Sequence, residues 1–272
     1  MNHHRIITLM TDFGERDPYV GAMKGVILGI TPEVTIVDIT HLIPPQNVYE
    51  AAYVLSSATP YFPAGTIHVA VVDPGVGTER RPIVVHTERA YYVAPDNGLL
   101  TPILQRERVL EVVHLTNDTY WLPRVSHTFH GRDIFAPVAA YLARGVPLNA
   151  LGILLTPEDL VQLEWFPAQT LPDGSIEGMV VHIDHFGNIV TNIPAHMLSD
   201  PPETWTFEVG GRRVRGLKRA YAEVDVGEPL ALIGSNETLE FSVREGNAAA
   251  LWGVEVGDMV RARRADKAGS VG

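Results

Sequence analysis

Over roughly the first 165 residues, apolar runs rich in β-branched residues alternate with helical patterns, and that alternation stops near Ser175. The runs Arg5–Met10, Val34–Ile39, Thr66–Val72, Pro82–Val85, Ala90–Val93 and Val109–His114 read as buried strands. Between them, Tyr19–Ile30 reads as a helix with Asp17 as N-cap and Pro18 as its first residue. Val48–Ala58 reads as a second, opened by Asn47 and Glu50 in capping-box spacing. A third is expected from an N-cap at Asp133 to Arg144, stopped by Gly145, with Pro137 in its first turn or kinking it. Strands and helices in that order predict an α/β domain built on a mostly parallel sheet. After Ser175 come only short alternating runs: Ser175–Ile183, Asn188–Ile193, Thr204–Val209, Arg212–Leu217, Pro229–Ile233, Leu239–Val243 and Met259–Arg263. These predict a smaller all-β, barrel-like domain. The expected boundaries are 1–165 for the α/β domain, 166–174 for a proline-bearing linker, 175–265 for the β-barrel domain and 266–272 for a frayed tail.

Composition narrows the partners. The 32 acidic against 21 basic residues give a formal charge of −11 without a basic stripe, which disfavours nucleic acid and suits a cationic small substrate. With no cysteine, only His and carboxylates remain as metal ligands. The apolar run at the N-terminus is too short for a signal core or a membrane span, so a soluble cytoplasmic protein with no membrane partner is expected.

Five segments carry residues suited to chemistry. Thr11-Asp12-Phe13-Gly14 follows the first strand, where Asp12 either binds a hydroxyl pair such as a ribose diol or makes an Asx-turn. In Asp73-Pro74-Gly75-Val76-Gly77-Thr78-Glu79-Arg80-Arg81, an arginine seven residues on can return across the turn to the aspartate; a surface ion pair of about 0–1 kcal/mol is the plainer reading. His127 and His130 are spaced for a metal or for a base and its partner, but no third ligand is evident and one of the two reads as structural. Asp184-His185-Phe186-Gly187-Asn188 offers a stacking face and an amide suited to an adenine edge, or merely turns a hairpin. Gly234-Ser235-Asn236 and Gly246-Asn247-Ala248-Ala249 are small enough for backbone amides to meet a carboxylate. No G-x-G-x-x-G or P-loop is present.

Taken in this order, with Ala94-Pro95-Asp96-Asn97-Gly98, these segments resemble the S-adenosyl-L-methionine (SAM) hydroxide adenosyltransferases, also called SAM hydrolases and related to the fluorinase and chlorinase. The resemblance spans essentially the whole chain. It implies an α/β domain followed by a β-barrel, a homotrimer with active sites between subunits, and conversion of SAM and water to adenosine and L-methionine with no metal or other cofactor. It places the catalytic Asp–Arg–His set on Asp73, Arg80 and His130, and the ribose hydroxyls on Asp12. Phe186 and Asn188 would meet adenine, Asp184 the methionine ammonium, and Ser235 and the backbone near Ala248 the rest of the methionine. His127 receives no role. In the halogenases a tyrosine stands at the position of Asp73 and a serine can stand at that of Gly131, so both positions here are of the hydroxide type.

The chemistry fits those residue types. The leaving group is a neutral thioether and needs no general acid; the reaction needs a nucleophile held in line with sulfur. Hydroxide and sulfonium annihilate charge, which favours a dry pocket. Arg80 cannot be the base, so the proton falls to Asp73 or His130. The alternatives are a SAM-dependent 5′-halogenase, a non-catalytic SAM or adenosine sensor, and a nucleoside hydrolase attacking C1′.

Overall fold

The computed structural model describes residues 5–164 and 167–264. The tail expected at 266–272 lies outside the described residues, as do Trp165 and Phe166 at the join. The chain divides into two compact units, Met1–Glu164 and Trp165–Gly272.

The first unit contains β1 (Ile6–Thr11), α1 (Tyr19–Ile30), β2 (Thr35–Thr40), α2 (Val48–Ala58), β3 (Ile67–Val71), β4 (Pro82–Thr87), β5 (Tyr91–Pro95), α3 (Thr101–Arg106), β6 (Val109–Leu115), α4 (Ala136–Ala143) and β7 (Gly152–Leu155). Its sheet runs β2-β1-β3-β5-β4-β6-β7. The pairs β1–β2, β1–β3 and β3–β5 are parallel, while β4 and then β6 reverse direction, so β1, β2, β3, β5 and β6 all point the same way. Period-two alternation builds a core on each face of the sheet. Ile7, Leu9, Val69 and Val71 pack with Met23, Ile27, Val138 and Ala139 of α1 and α4. Met10, Ala70 and Val72 pack on the opposite face with Leu55 and Ile103 of α2 and α3.

Two helix starts differ from the sequence-based expectation. In α1, Pro18 itself takes the cap position and no side-chain cap forms, so Asp17 does not act as N-cap. The third helix is regular only from Ala136, behind a π-turn at Gly131–Phe135. Pro137 lies in its first turn and has no N–H for the carbonyl of Asp133. Leu122 N–H takes that carbonyl at 2.9 Å instead, which draws the preceding loop onto the turn. Asp133 is therefore no exposed N-cap but a buried side chain within the π-turn. The Asn47 cap forms as expected, with Glu50 N–H donating to Asn47 Oδ1 at 3.0 Å.

The second unit contains β8 (Gln169–Thr170), β9 (Ile176–Ile183), β10 (Ile189–Pro194), β11 (Trp205–Val209), β12 (Arg212–Arg215), β13 (Leu217–Lys218), β14 (Pro229–Ile233), β15 (Thr238–Val243), α5 (Ala248–Trp252) and β16 (Met259–Arg264). The strand order is β12-β11-β16-β9-β10-β15-β14-β13, with β8 paired to β9. Part of the expected linker is thus a strand of this unit. β12 and β13 occupy opposite edges of the sheet, yet only Gly216, at φ 74°, separates them in sequence. One stretch of chain therefore brings both edges together, and the sheet is nearly a closed barrel. Gly210 and Gly211, both at positive φ, make the two-residue hairpin between β11 and β12. Trp205, Phe207, Phe241 and Leu239 fill the interior.

Candidate active site

Thr11, the last residue of β1, pairs in parallel with Val71 of β3. Asp12 and Asp73 therefore leave neighbouring strands at their carboxyl ends, the edge at which open α/β sheets bind ligands. Beyond Asp73 the chain folds tightly: Val76 N–H donates to Asp73 O at 3.2 Å and Thr78 N–H to Gly75 O at 3.2 Å. This turn returns Arg80 onto Asp73 as a bidentate pair, with Nε to Oδ1 at 3.0 Å and Nη2 to Oδ2 at 2.5 Å. The side chains are only 6% and 5% exposed, so this is not the surface ion pair of the plainer reading. The guanidinium carbon lies 5.4 Å from the centre of the Phe135 ring.

Gly77 brings the third group in. It has φ 77°, and a Cβ there would lie 2.3 Å from the carbonyl oxygen of His127, so only glycine lets the turn meet the 126–130 loop. Across that contact Arg80 Nη2 donates to His130 Nδ1 at 3.1 Å. Arginine has no acceptor, so Nδ1 must accept, and the proton of the neutral ring sits on Nε2. Burial, with the Arg80 charge, pushes His130 below the ordinary 6.5 of histidine despite Asp73 and Asp133 nearby. Burial also pushes Asp73 above the ordinary 3.8, against the opposing pull of Arg80. Arg80 Nη1 is buried and has no hydrogen-bond partner among the described residues. His127 is exposed and contributes its backbone.

Two supports for this cluster were not legible in the sequence. Asn97 Nδ2 donates to the carbonyl of Val72 at 2.9 Å, pinning the residue before Asp73. Asp133, fully buried, accepts from Ser126 N at 2.8 Å, Ser126 Oγ at 2.7 Å and Arg132 Nε at 2.6 Å, and so holds the loop that carries His130. Burial would raise its pKa, but these bonds hold it below the usual carboxylate value. Asn97 sat inside a segment already singled out, but its role depends on a strand distant in sequence. Asp133 has a residue type equally at home as an N-cap.

In the second unit Asp184, Phe186 and Asn188 line an open cavity of about 670 Å³ with Tyr221, Arg244, Glu245 and Asn247. Asp184 organises its own loop, accepting from Phe186 N at 2.9 Å, Asn188 N at 2.8 Å and Asn188 Nδ2 at 2.8 Å. With Nδ2 engaged, Asn188 offers its Oδ1 to a ligand. Gly187 has φ 85°, and a Cβ would fall 2.1 Å from the Asn247 side chain, while Ala249 N–H donates to Gly187 O at 3.0 Å. The 184–188 and 246–249 loops therefore meet through a glycine. Ala248 is fully buried, main chain included, and is not among the lining residues. Ser235 is exposed at the tip of the β14–β15 hairpin and is not among the lining residues. Tyr221, which sequence reasoning missed, donates to Glu240 Oε1 at 2.7 Å; burial and that carboxylate push its hydroxyl up to about 12. Among the described residues no group of three or more His, Asp or Glu could hold a metal ion, and no helix is long and apolar enough to cross a membrane.

Comparison with known proteins covers both units. Residues 7–152 match the SAM hydroxide adenosyltransferase N-terminal domain, and residues 178–261 match the C-terminal domain of the same family. The chain is 40% identical over 256 residues to the (R)-S-adenosyl-L-methionine hydrolase of Salinispora tropica, covering 94% of this chain and 96% of that one. It is 32% identical to a fluorinase of Actinoplanes sp., covering 71% and 72%. A conserved protein of Thermotoga maritima of known crystal structure superposes with a TM-score of 0.89 at 38% identity, over 95% of this chain and all of the other. Relatives of this identity and coverage, with both halves of the chain matched in order, establish that the protein belongs to the SAM hydroxide adenosyltransferase family.

Proposed function

We propose that the protein hydrolyses SAM, in its (R) sulfonium form, to adenosine and L-methionine. The observation that carries this reading is the buried Asp73–Arg80–His130 cluster with one guanidinium nitrogen left over. A buried cationic N–H without a partner is costly, and this reading takes it as the donor to the reacting oxygen once substrate and water occupy the site. Water held there by Arg80 Nη1 attacks ribose C5′. The new bond is O–C5′; the C5′–S bond breaks with its electron pair going to sulfur, which leaves as the neutral thioether of methionine.

The water proton goes to Asp73. His130 already uses Nδ1 as the acceptor for Arg80 and its pKa is pushed down, whereas that of Asp73 is pushed up toward the proton. Arg80 holds the developing hydroxide, and His130 fixes the guanidinium. Because the sulfonium is already an activated leaving group, the reaction calls for no cofactor. Asp12 accepts hydrogen bonds from the ribose hydroxyls, Phe186 and Asn188 receive adenine, and Asp184 and Ser235 receive the methionine. The similarity to enzymes named for the (R) compound supports the choice of epimer. A homotrimer with sites between subunits is part of the same reading; Phe186, left 71% exposed, suits a site completed by assembly.

The test is incubation with each SAM epimer in ¹⁸O-water, with products resolved by mass spectrometry. The expected result is adenosine labelled at the 5′-hydroxyl and an equal amount of methionine, from the (R) epimer. Free adenine, 5′-chloro-5′-deoxyadenosine formed in chloride, or SAM bound for hours without product would each refute it.

A further inference from the structure

Outside the cluster on Asp73, the first unit buries a second polar chain. Strands β1 and β2 keep parallel register through Leu9 and Asp38, then slip so that Met10 meets Thr40. The slip inserts one residue of β2 and brings His41 beside Thr11. Thr11 Oγ1 lies 2.9 Å from His41 Nδ1, and His41 Nε2 lies 3.1 Å from Asp38 Oδ1. The second contact is too poorly aligned to count as a hydrogen bond. Lys24 closes the chain at 2.5 Å from Asp38 Oδ2, at the half-exposed end.

A Thr–His–Asp series resembles a nucleophile with its base, but Thr11 has no exposed surface and no substrate can reach it. Its position gives it a different task. Thr11 Oγ1 also accepts Phe13 N–H at 3.2 Å, Gly14 N–H donates to His41 O at 2.8 Å, and Gln46 N–H donates to Asp12 Oδ2 at 2.8 Å. Gln46 makes that last bond from a left-handed backbone, φ 65°, which a non-glycine residue adopts at a cost. The 41–46 segment thus grips the Thr11–Gly14 loop on both sides of Asp12 and holds one of its carboxylate oxygens directly.

We propose that His41 is a positioning residue, acting with Asp38 through Thr11 to aim the Asp12 carboxylate at the substrate's ribose diol. The inference rests on the proposed function only in taking Asp12 as the diol acceptor. A diol demands both oxygens of one carboxylate in a fixed plane, and a side chain at a strand end has no such plane unless its loop is clamped. The relay supplies the clamp from the core side and Gln46 from the outer side.

The experiment measures affinity for adenosine and for 2′-deoxyadenosine by titration calorimetry in the wild-type protein and in His41→Leu, Thr11→Val and Thr11→Ser, with melting temperature and SAM kinetics beside it. A hydrogen bond to a charged group corresponds to a preference for adenosine of about 10- to 100-fold in the wild type. In His41→Leu and Thr11→Val this preference is expected to fall at least about 3-fold, with KM rising more than kcat falls. Thr11→Ser, which restores the hydroxyl, keeps it. A purely structural role lowers the melting temperature but leaves the ratio unchanged, and that result in a folded variant overturns the proposal. Thr11→Val preserves shape and answers the question if His41→Leu does not fold. A wild-type protein that binds adenosine without preferring it over the deoxy compound overturns the assignment of Asp12 itself, and with it the proposal; one that discriminates while the variants discriminate equally overturns the relay alone.

Discussion

Replacing Asp73 with asparagine probes the proposed chemistry most directly. Asparagine keeps the volume and one acceptor oxygen, so Arg80 retains one of its two bonds at 2.5–3.0 Å and loses the other along with the charge that balances it. Breaking a buried pair by removing one partner costs about 3–5 kcal/mol, because the remaining charge is left uncompensated. For a protein of this size that lowers the melting temperature by roughly 6–20 °C. The effect on turnover is separate. Loss of the proton acceptor lowers kcat by about 10²–10⁴-fold, or roughly 3–5 kcal/mol in the activation free energy. SAM affinity should stay within about 3-fold, since the role proposed for Asp73 is toward the water rather than the nucleoside. The assay is adenosine release at saturating SAM by liquid chromatography, at a temperature where the variant is folded, with calorimetric binding alongside. If the variant melts earlier as expected but turns over within about 5-fold of wild type, the pair is structural and the acceptor lies elsewhere.

Two further outcomes follow from the geometry. Gly77→Ala forces a Cβ against the His127 carbonyl at a left-handed backbone position; it should cost about 1–3 kcal/mol and lower kcat at least 10-fold by parting Arg80 from His130, measured by thermal melts and the same turnover assay. The proposed mechanism requires Asp73 ionised and His130 neutral. As pH falls, His130 gains its proton only below the ordinary 6.5 and Asp73 gains its proton already above 3.8, so kcat/KM should be flat above about pH 6.5 and fall on an acid limb between those values; an acid limb centred above pH 7 would contradict the assignment.

How far the sequence reveals such a site depends on whether a feature is local. The strands of both units are close to their apolar runs because alternation and β-branching act within a few residues, and the Gly210-Gly211 hairpin is legible because its turn type demands positive φ at both positions. The Asp73–Arg80 pair is half local. The turn that returns Arg80 can be read from Pro74, Gly75 and Gly77, but its burial comes from Phe135 and His130, 50 or more residues away. That distant burial separates a surface ion pair from one suited to the proposed chemistry. Asp133 shows the opposite difficulty: aspartate before an apolar run signals an N-cap, and the same carboxylate equally satisfies buried loop amides. What decides between them is the missing N–H of Pro137, which frees the Asp133 carbonyl for Leu122 and turns the helix start inward. His41 is harder still. Nothing in its neighbours marks it, because its contact with Thr11 arises from a one-residue slip between β1 and β2 that no periodicity encodes. Type and spacing therefore nominate Asp73, Arg80 and His130 without deciding between a surface pair and a site, and only the order of all the segments, read as a family resemblance, assigns them roles; the residues that hold them in place are set by pairing register and close approach, which appear only once the chain is folded.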